Sequence, residues 1–332
     1  MAAVVNITED QKAQFATDLG VHKLNATVAG CCFVFVCMNI FVMASNKAFS
    51  KAYRVLIALN VTNLFIIFGI LGEAVYIIHS YKDALVNGVV PKLTSSQCIK
   101  LYTLFQVFAD FAMPLIELTM GFERFTTVVL ALPRCSRLDY NSHKFYLAAF
   151  AGAAFATTAP ALASLAWPTQ NVDFTCSRQA AFGVPFGVFN YAFNVFAIVA
   201  GLALNTATCL KARKIQQSCG NVRKIKCYTS VAVVSTLLVS VPNFISIIHA
   251  TWFTMPENLM TPAPILACVN CALQFFINVG MNEEYRYRFF KVFTCGKYHP
   301  IDLPTQDTNL STTQGKKSIT QTLSIETDEL KK

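Results

Sequence analysis

Hydrophobic positions along this chain do not alternate with polar ones; they run together in long blocks. Seven stand out: Leu24–Ser45, Tyr53–His79, Cys98–Phe122, Phe145–Trp167, Gln179–Leu210, Cys227–Phe253 and Pro262–Asn282. A helix needs about 20 mostly apolar residues to cross ~30 Å of hydrocarbon, and every block meets that length. Transmembrane β-strands would show alternating segments of about 10 residues instead. The pattern therefore predicts an all-α membrane protein, a seven-transmembrane helix bundle spanning residues 24–282. A polar N-terminal segment, 1–23, precedes it.

After the seventh block the period changes. Tyr285, Phe289 and Phe293 recur every four residues, with Arg286, Arg288 and Lys291 beside them. This predicts a short amphipathic eighth helix over 283–296, lying in the headgroup region against membrane lipid. Cys295 at its end is a candidate for palmitoylation or an unmodified thiol. Residues 297–332 are polar and almost free of aromatics, which predicts a disordered tail. Its serines and threonines, from Ser311 to Thr327, are candidates for phosphorylation.

Composition agrees with the blocks. Hydrophobic residues make up 54% and charged residues 14%, where a soluble domain carries about 25% charged. A formal charge of +9 would suit nucleic-acid binding, but the basic residues sit in short turns between apolar blocks. That is how a polytopic protein sets its orientation. Lys47, Lys51 and Arg54 occupy one turn, Arg134, Arg137 and Lys144 another, and Lys211, Arg213, Lys214, Arg223, Lys224 and Lys226 a third. The alternate turns are poor in Lys and Arg. The N-terminus is therefore expected outside and the C-terminus in the cytoplasm. The first residues lack the basic start and apolar core of a cleavable signal peptide, so the first block is expected to act as an uncleaved anchor. Asn6 and Asn25 head glycosylation sequons on the expected outer side. Most of the twelve cysteines lie within apolar blocks, where a thiol acts as a small hydrophobe. Cys98 and Cys176 fall at expected outer ends, where an oxidising environment permits a bridge.

No enzyme motif is present, and the five histidines lie far apart, so neither catalysis, a metal nor a cofactor is expected. Glu283 and Glu284 read as an exposed ionic patch. Ionisable groups inside the blocks say more, because they are costly in lipid and face the bundle interior. Glu73 lies in the second block. Asp110, Glu117 and Arg124 are spaced by seven and share one helical stripe. Asp110 stands 12 residues beyond Cys98, about 18 Å at ~1.5 Å per residue, near mid-membrane. It reads either as a ligand or switch residue or as an acid bonded to a neighbouring helix; Glu117 reads as the latter. Glu123 and Arg124 form an adjacent pair, either a releasable two-state element or an inconsequential interfacial ion pair. Pro114, Pro160 and Pro242 each predict a break in helical hydrogen bonding.

Several of these features, in order, resemble a rhodopsin-like G-protein-coupled receptor, and within that group the nematode serpentine chemoreceptors. Asn39 with Val42 resembles the Asn-x-x-Val of helix one, and Leu59-Asn60-Val61-Thr62-Asn63-Leu64 the Leu-Ala-x-x-Asp-Leu of helix two. Cys98 and Cys176 resemble the family's disulfide pair, and Glu123-Arg124-Phe125 its Asp/Glu-Arg-Tyr. Pro242 resembles the helix-six proline. Asn278-Val279-Gly280-Met281-Asn282 stands where Asn-Pro-x-x-Tyr occurs, and the run from Glu284 to Phe289 looks like the junction with an eighth helix. The resemblance covers roughly 24–295. The chain departs from the pattern at Asn63, Val279, Asn282 and Val239-Ser240-Val241, and at Gln106, near where amine receptors carry an acid.

The resemblance implies a plasma-membrane receptor, chemosensory in kind, for a small-molecule or peptide ligand. Its partners would be a heterotrimeric G protein and arrestin. Glu73, Gln106, Asp110, Asn190, Tyr191, Asn194, His249, Asn270 and Gln274 would line the ligand site in the outer halves of the helices. Glu123, Arg124, Pro242 and Asn278 would belong to the switch. The alternative is a transporter or channel for a small solute, which would show paired inverted repeats; no convincing repeat is visible.

Overall fold

A computed structural model of the chain describes residues 4–129, 138–214, 219–252 and 262–294; for Ala48, Ala52, 138–143 and 219–224 the backbone alone is described. Cys295, Arg134, Arg137, the side chains of Arg223 and Lys224, and the 297–332 tail lie outside the described residues. The chain divides into a compact unit, Met1–Phe289, and a second, Phe290–Lys332. Of the second unit, only the end of the last helix is described.

The protein is an all-α bundle. Among the described residues, seven helices are each long and apolar enough to cross a membrane. In chain order these are α1 (Glu9–Ala44), α3 (Arg54–Asn87), α4 (Leu101–Val128), α5 (Leu138–Ala166), α7 (Val184–Lys214), a sixth span built from α8 (Cys219–Ser235) and α9 (Val241–Thr251), and α10 (Ala263–Met281). The short helices are α2 (Lys47–Ala52), α6 (Arg178–Phe182) and α11 (Glu283–Phe293). The outer surface carries large apolar side chains, and the largely apolar core holds buried polar ones. Phe155 and Phe196 are 73% and 72% exposed on the outside, while Asn39, Asn60, Asn63 and Glu117 are wholly buried. Hydrocarbon, not water, is the solvent that tolerates such a surface. The chain is a multi-pass membrane protein.

Helix boundaries depart from the apolar blocks in instructive ways. α1 begins at Glu9, well inside the polar segment. Thr8 and Gln11 form a reciprocal capping box there, and Glu9 and Asp10 occupy the first turn, where carboxylates meet the positive end of the helix. Its 36 residues reach about 54 Å, far beyond the ~30 Å hydrocarbon core. Phe15 stacks on Tyr81 at 4.8 Å and meets Phe174 edge-on at 5.6 Å, which holds this extension in place. α3 likewise runs on to Asn87 and stops at Gly88, whose φ of 70° is the left-handed cap that glycine takes without strain.

The fifth block is not one helix. It separates into α6 and α7 at Gly183, whose φ is 87°. In the sixth span the helix widens to a π segment, Thr236–Ser240, just before Pro242. Pro242 has no N–H to give, and its ring crowds the carbonyl four residues back. The Val241 N–H reaches the Thr236 carbonyl instead, five residues back. At Pro114 and Pro160, α4 and α5 pass through without a change of helix type.

α4 is the axis of the bundle, packed on α3, α5 and α7. Its approach to α7 depends on glycine. A Cβ on Gly121 would sit 3.0 Å from the Gly201 carbonyl oxygen, and one on Gly201 would meet the Glu117 backbone at 3.4 Å. Small residues let membrane helices close up where hydrophobic driving force is absent.

The end carrying Cys98 is roofed. β1 (Val4–Asn6) pairs with β2 (Val89–Pro91), and β3 (Leu93–Thr94) with β4 (Gln170–Val172), both antiparallel. A 3-10 turn, Ser95–Cys98, follows β3. Cys98 and Cys176 are disulfide-bonded. At the opposite end, α11 follows α10 directly and lays Tyr285 and Phe289 on Phe275. The amphipathic eighth helix is thus present over Glu283–Phe293. Gly121→Leu should force α4 from α7 and cost at least about 1–3 kcal/mol, read as a lower thermal midpoint of the detergent-purified protein; an unchanged midpoint would refute the close-packed seam.

Candidate functional site

Three polar clusters lie along α4, each anchored by one member of the Asp110, Glu117, Arg124 stripe. The first is at the disulfide end. Arg178, the first residue of α6, forms an ion pair with Asp110. Asn190 of α7 donates to the same Asp110 Oδ2 at 3.0 Å. Asn194 in turn donates to the Asn190 carboxamide oxygen at 3.2 Å, which orients that amide. The Arg178 guanidinium also stands 5.6 Å from the Tyr191 ring centre, within cation–π range. Beside this, Gln106 donates to Glu73 Oε2 at 2.6 Å.

Both Arg178 and Asp110 are half-buried. Burial alone would weaken the charge on Arg178, but the Asp110 carboxylate, with smaller help from Tyr191 and Glu73, raises its pKa above the ordinary arginine value. Asp110 is thus the carboxylate partner of the Arg178 guanidinium, and its bonds run to α6 and α7. Pro114 lies four residues on, so the Asp110 carbonyl has no helical N–H to accept.

The second cluster is deeper. Ser235 donates to Glu117 Oε1 at 2.7 Å and lies 3.2 Å from the Asn270 carboxamide oxygen. Asn63 donates to Gln274 at 2.9 Å. Glu117 Oε2, Asn270 Nδ2, Gln274 Nε2 and Asn63 Oδ1 are buried and make no hydrogen bond among the described residues. Asn270 and Gln274, predicted for the ligand site, are therefore placed here, since their partners come from α3 and α8. Next to them runs an amide chain. Asn278 contacts Cys227 Sγ at 3.6 Å and donates to Asn39 at 3.4 Å; Asn39 donates to Asn60 at 2.8 Å. It joins four spans across the core.

The third cluster is at the far end of α4. The Arg124 guanidinium lies 3.5 Å from the Tyr228 ring centre on α8. Glu123 accepts a hydrogen bond from the Tyr146 hydroxyl of α5. The predicted Glu123–Arg124 ion pair is thus absent among the described salt bridges. Adjacent residues on a helix do not face each other, and each finds its partner on a different neighbouring helix. Nearby, Tyr53 donates to Glu284 at 2.9 Å and accepts from Asn282 at 3.0 Å. Glu283 and Glu284 are exposed, as expected, and Glu284 also ties α11 to the start of α3.

Compared with known proteins, the chain matches no family model and no curated protein.

His249 is in the last turn of α9, and Pro242 directly follows the π segment. Asn6 is exposed in β1, whereas Asn25 is 5% exposed on the inner face of α1, so a glycan is accommodated at the first of these sequons and not at the second in this packing. Cys98–Cys176 is bonded, as the resemblance implied. Among the described residues no His, Cys, Asp and Glu group converges as a metal site.

Arg178, Tyr228, Tyr146 and Ser235 are site residues that the sequence reading missed. Arg178 had a usable clue: it stands two residues after a cysteine expected to be tied near the top of the helix that carries Asp110. Tyr228 and Ser235 had none, because polar residues of that kind are common in membrane helices. Asn39→Val should break the amide chain and cost about 0.5–2 kcal/mol, seen as a lower thermal midpoint; a midpoint matching the unsubstituted protein would remove the chain from any structural role.

Proposed function

We propose that the chain is a chemosensory G-protein-coupled receptor of the plasma membrane, with its disulfide end outside and its Arg124 end in the cytoplasm. The observation that carries this reading is the α4 stripe. One helix bears a charged, part-buried site near the disulfide and, 14 residues on, about 21 Å away, an arginine stacked on α8. The same helix contacts Ser235 of α8 midway, at the edge of the π segment. A molecule that alters the first cluster thereby acts on the helix that holds α8 at the other end. π turns widen a helix at a place where it can rearrange, and a ligand shifts a population only by preferring one arrangement.

Further support comes from the disulfide placement, the α11 helix and the ordered motifs between Asn39 and Phe289. Outer-loop ordering by two β-ladders and a disulfide suits a receptor that presents a shaped face to solvent. At the other end, α8 swinging from Arg124 would uncover the arginine and the basic turn after α7 to a heterotrimeric G protein, and a modified tail to arrestin. Asn6 is a glycan site on this reading.

In reconstituted vesicles with purified heterotrimers, Tyr228→Leu should raise basal nucleotide exchange several-fold by releasing Arg124 from α8, and Arg124→Ala should abolish exchange. No exchange by the unsubstituted chain or by Tyr228→Leu with any G-protein class, together with solute flux through the same vesicles, would replace the receptor by a transporter. Epitope tags on intact cells should be antibody-accessible at the N-terminus and protected at the C-terminus; the reverse labelling would overturn the orientation.

A further inference from the structure

We infer that Asp110, Asn190 and Tyr191 form a seat for a guanidinium or ammonium group, that Arg178 fills this seat from within the chain, and that an external organic cation binds by displacing it. As a cation seat the inference stands alone; as the receptor's ligand class it rests on the proposed function.

The seat is built on fixed parts and its occupant is not. Asp110 and Asn190 project from the long helices α4 and α7, and Asn194 pins the Asn190 amide so that its N–H points at Asp110. Arg178 sits on a five-residue helix, bounded by Cys176 at φ 53° and Gly183 at φ 87°. It reaches the seat on a flexible three-carbon stem, so the guanidinium can leave while the backbone stays. The tie between Cys176 and Cys98 keeps the residue close and makes it a local competitor, effective without being part of the bundle.

Charge selects the ligand. Glu73, Asp110 and Arg178 together carry one net negative charge, and the partner that Glu73 accepts from is the neutral Gln106 amide at 2.6 Å. Both carboxylates act on the Arg178 guanidinium. When Arg178 leaves, two acids remain around one part-buried space. An anion arriving there meets like charges at low dielectric, and a neutral molecule leaves Asp110 uncompensated, which is strongly unfavourable for a buried pair that has lost a partner. A cation restores the lost pairing. The Tyr191 ring face, already turned to a guanidinium at 5.6 Å, favours a planar or alkylated cation.

The test uses the full chain purified in detergent, with methylguanidinium as probe, methylurea as its neutral counterpart and acetate as the anion. Methylguanidinium should raise the thermal midpoint of Arg178→Ala saturably, with an affinity about tenfold or more above that for the unsubstituted chain, where Arg178 competes. Methylurea and acetate should not raise it, and Asp110→Asn combined with Arg178→Ala should lose the effect. Arg178→Gln is the second variant, with the same order of probes expected should the alanine chain fail to fold. Stabilisation by acetate, equal stabilisation by methylurea, or an undiminished effect without the Asp110 carboxylate would each overturn the seat. These readouts involve no G protein. Methylguanidinium binding without any nucleotide exchange would keep the cation seat and sink the receptor reading alone.

Discussion

Hydrocarbon offers no hydrogen bonds, and every polar group that enters it must be satisfied by the protein itself. That constraint explains more of this molecule than any single contact. It imposes helices on all seven apolar blocks, and it dictates where the side-chain amides go. Asn39, Asn60 and Asn278 are all 0% exposed because no other place would solvate them. Thr62, Thr119, Thr157 and Ser246 return their hydroxyls to the carbonyl four residues back on their own helix, the local solution where no neighbour is in reach. Among the described residues, buried atoms of Glu117, Asn270, Gln274 and Asn63 that make no hydrogen bond lie together in the second cluster. Polar atoms left this way in a low-dielectric interior are costly.

Against this background α4 has a special position. Its heptad-spaced Asp110, Glu117 and Arg124 meet Arg178, Ser235 and Tyr228 at three depths. Two of the three partners lie on α8, the helix that changes to π geometry before Pro242. A seam of glycines lets α4 approach α7 closely, while side-chain bonds of quite different strength hold it to α8. Arg124 stacks on the Tyr228 ring without a countercharge among the described residues, and Glu117 accepts a hydrogen bond from Ser235. The α7 seam is thus set by backbone approach and the α8 seam by side-chain contacts.

The two ends of the bundle are held by different means. At the disulfide end, short β-ladders, the Cys98–Cys176 bond and the Phe15, Tyr81, Phe174 cluster tie the N-terminal extension of α1 to the loops. Arg178 is brought to Asp110 by that scaffold. At the other end, the ties are side-chain hydrogen bonds and ring contacts around Tyr53, Asn282, Glu284 and Tyr285. Covalent and backbone ties hold the first end; side-chain ties hold the second.

Apolar block length and continuity were enough to determine the seven helices, because lipid allows almost no other structure for such runs. Spacing alone was also enough to put Asp110, Glu117 and Arg124 on one face. The tertiary structure decided their partners. Glu123 and Arg124 looked paired because they are neighbours in sequence, yet a helix turns neighbours about 100° apart, and each found a different helix. Asn270 and Gln274 face inward, as polar residues in a membrane helix do; packing decided against which spans they lie. The start of α1 at Glu9 was hidden because it follows a capping box and a loop-borne aromatic contact, not hydropathy. Arg178 belonged to a loop by sequence and became part of the site because one disulfide brought it there, a contact across 68 residues that no local pattern encodes.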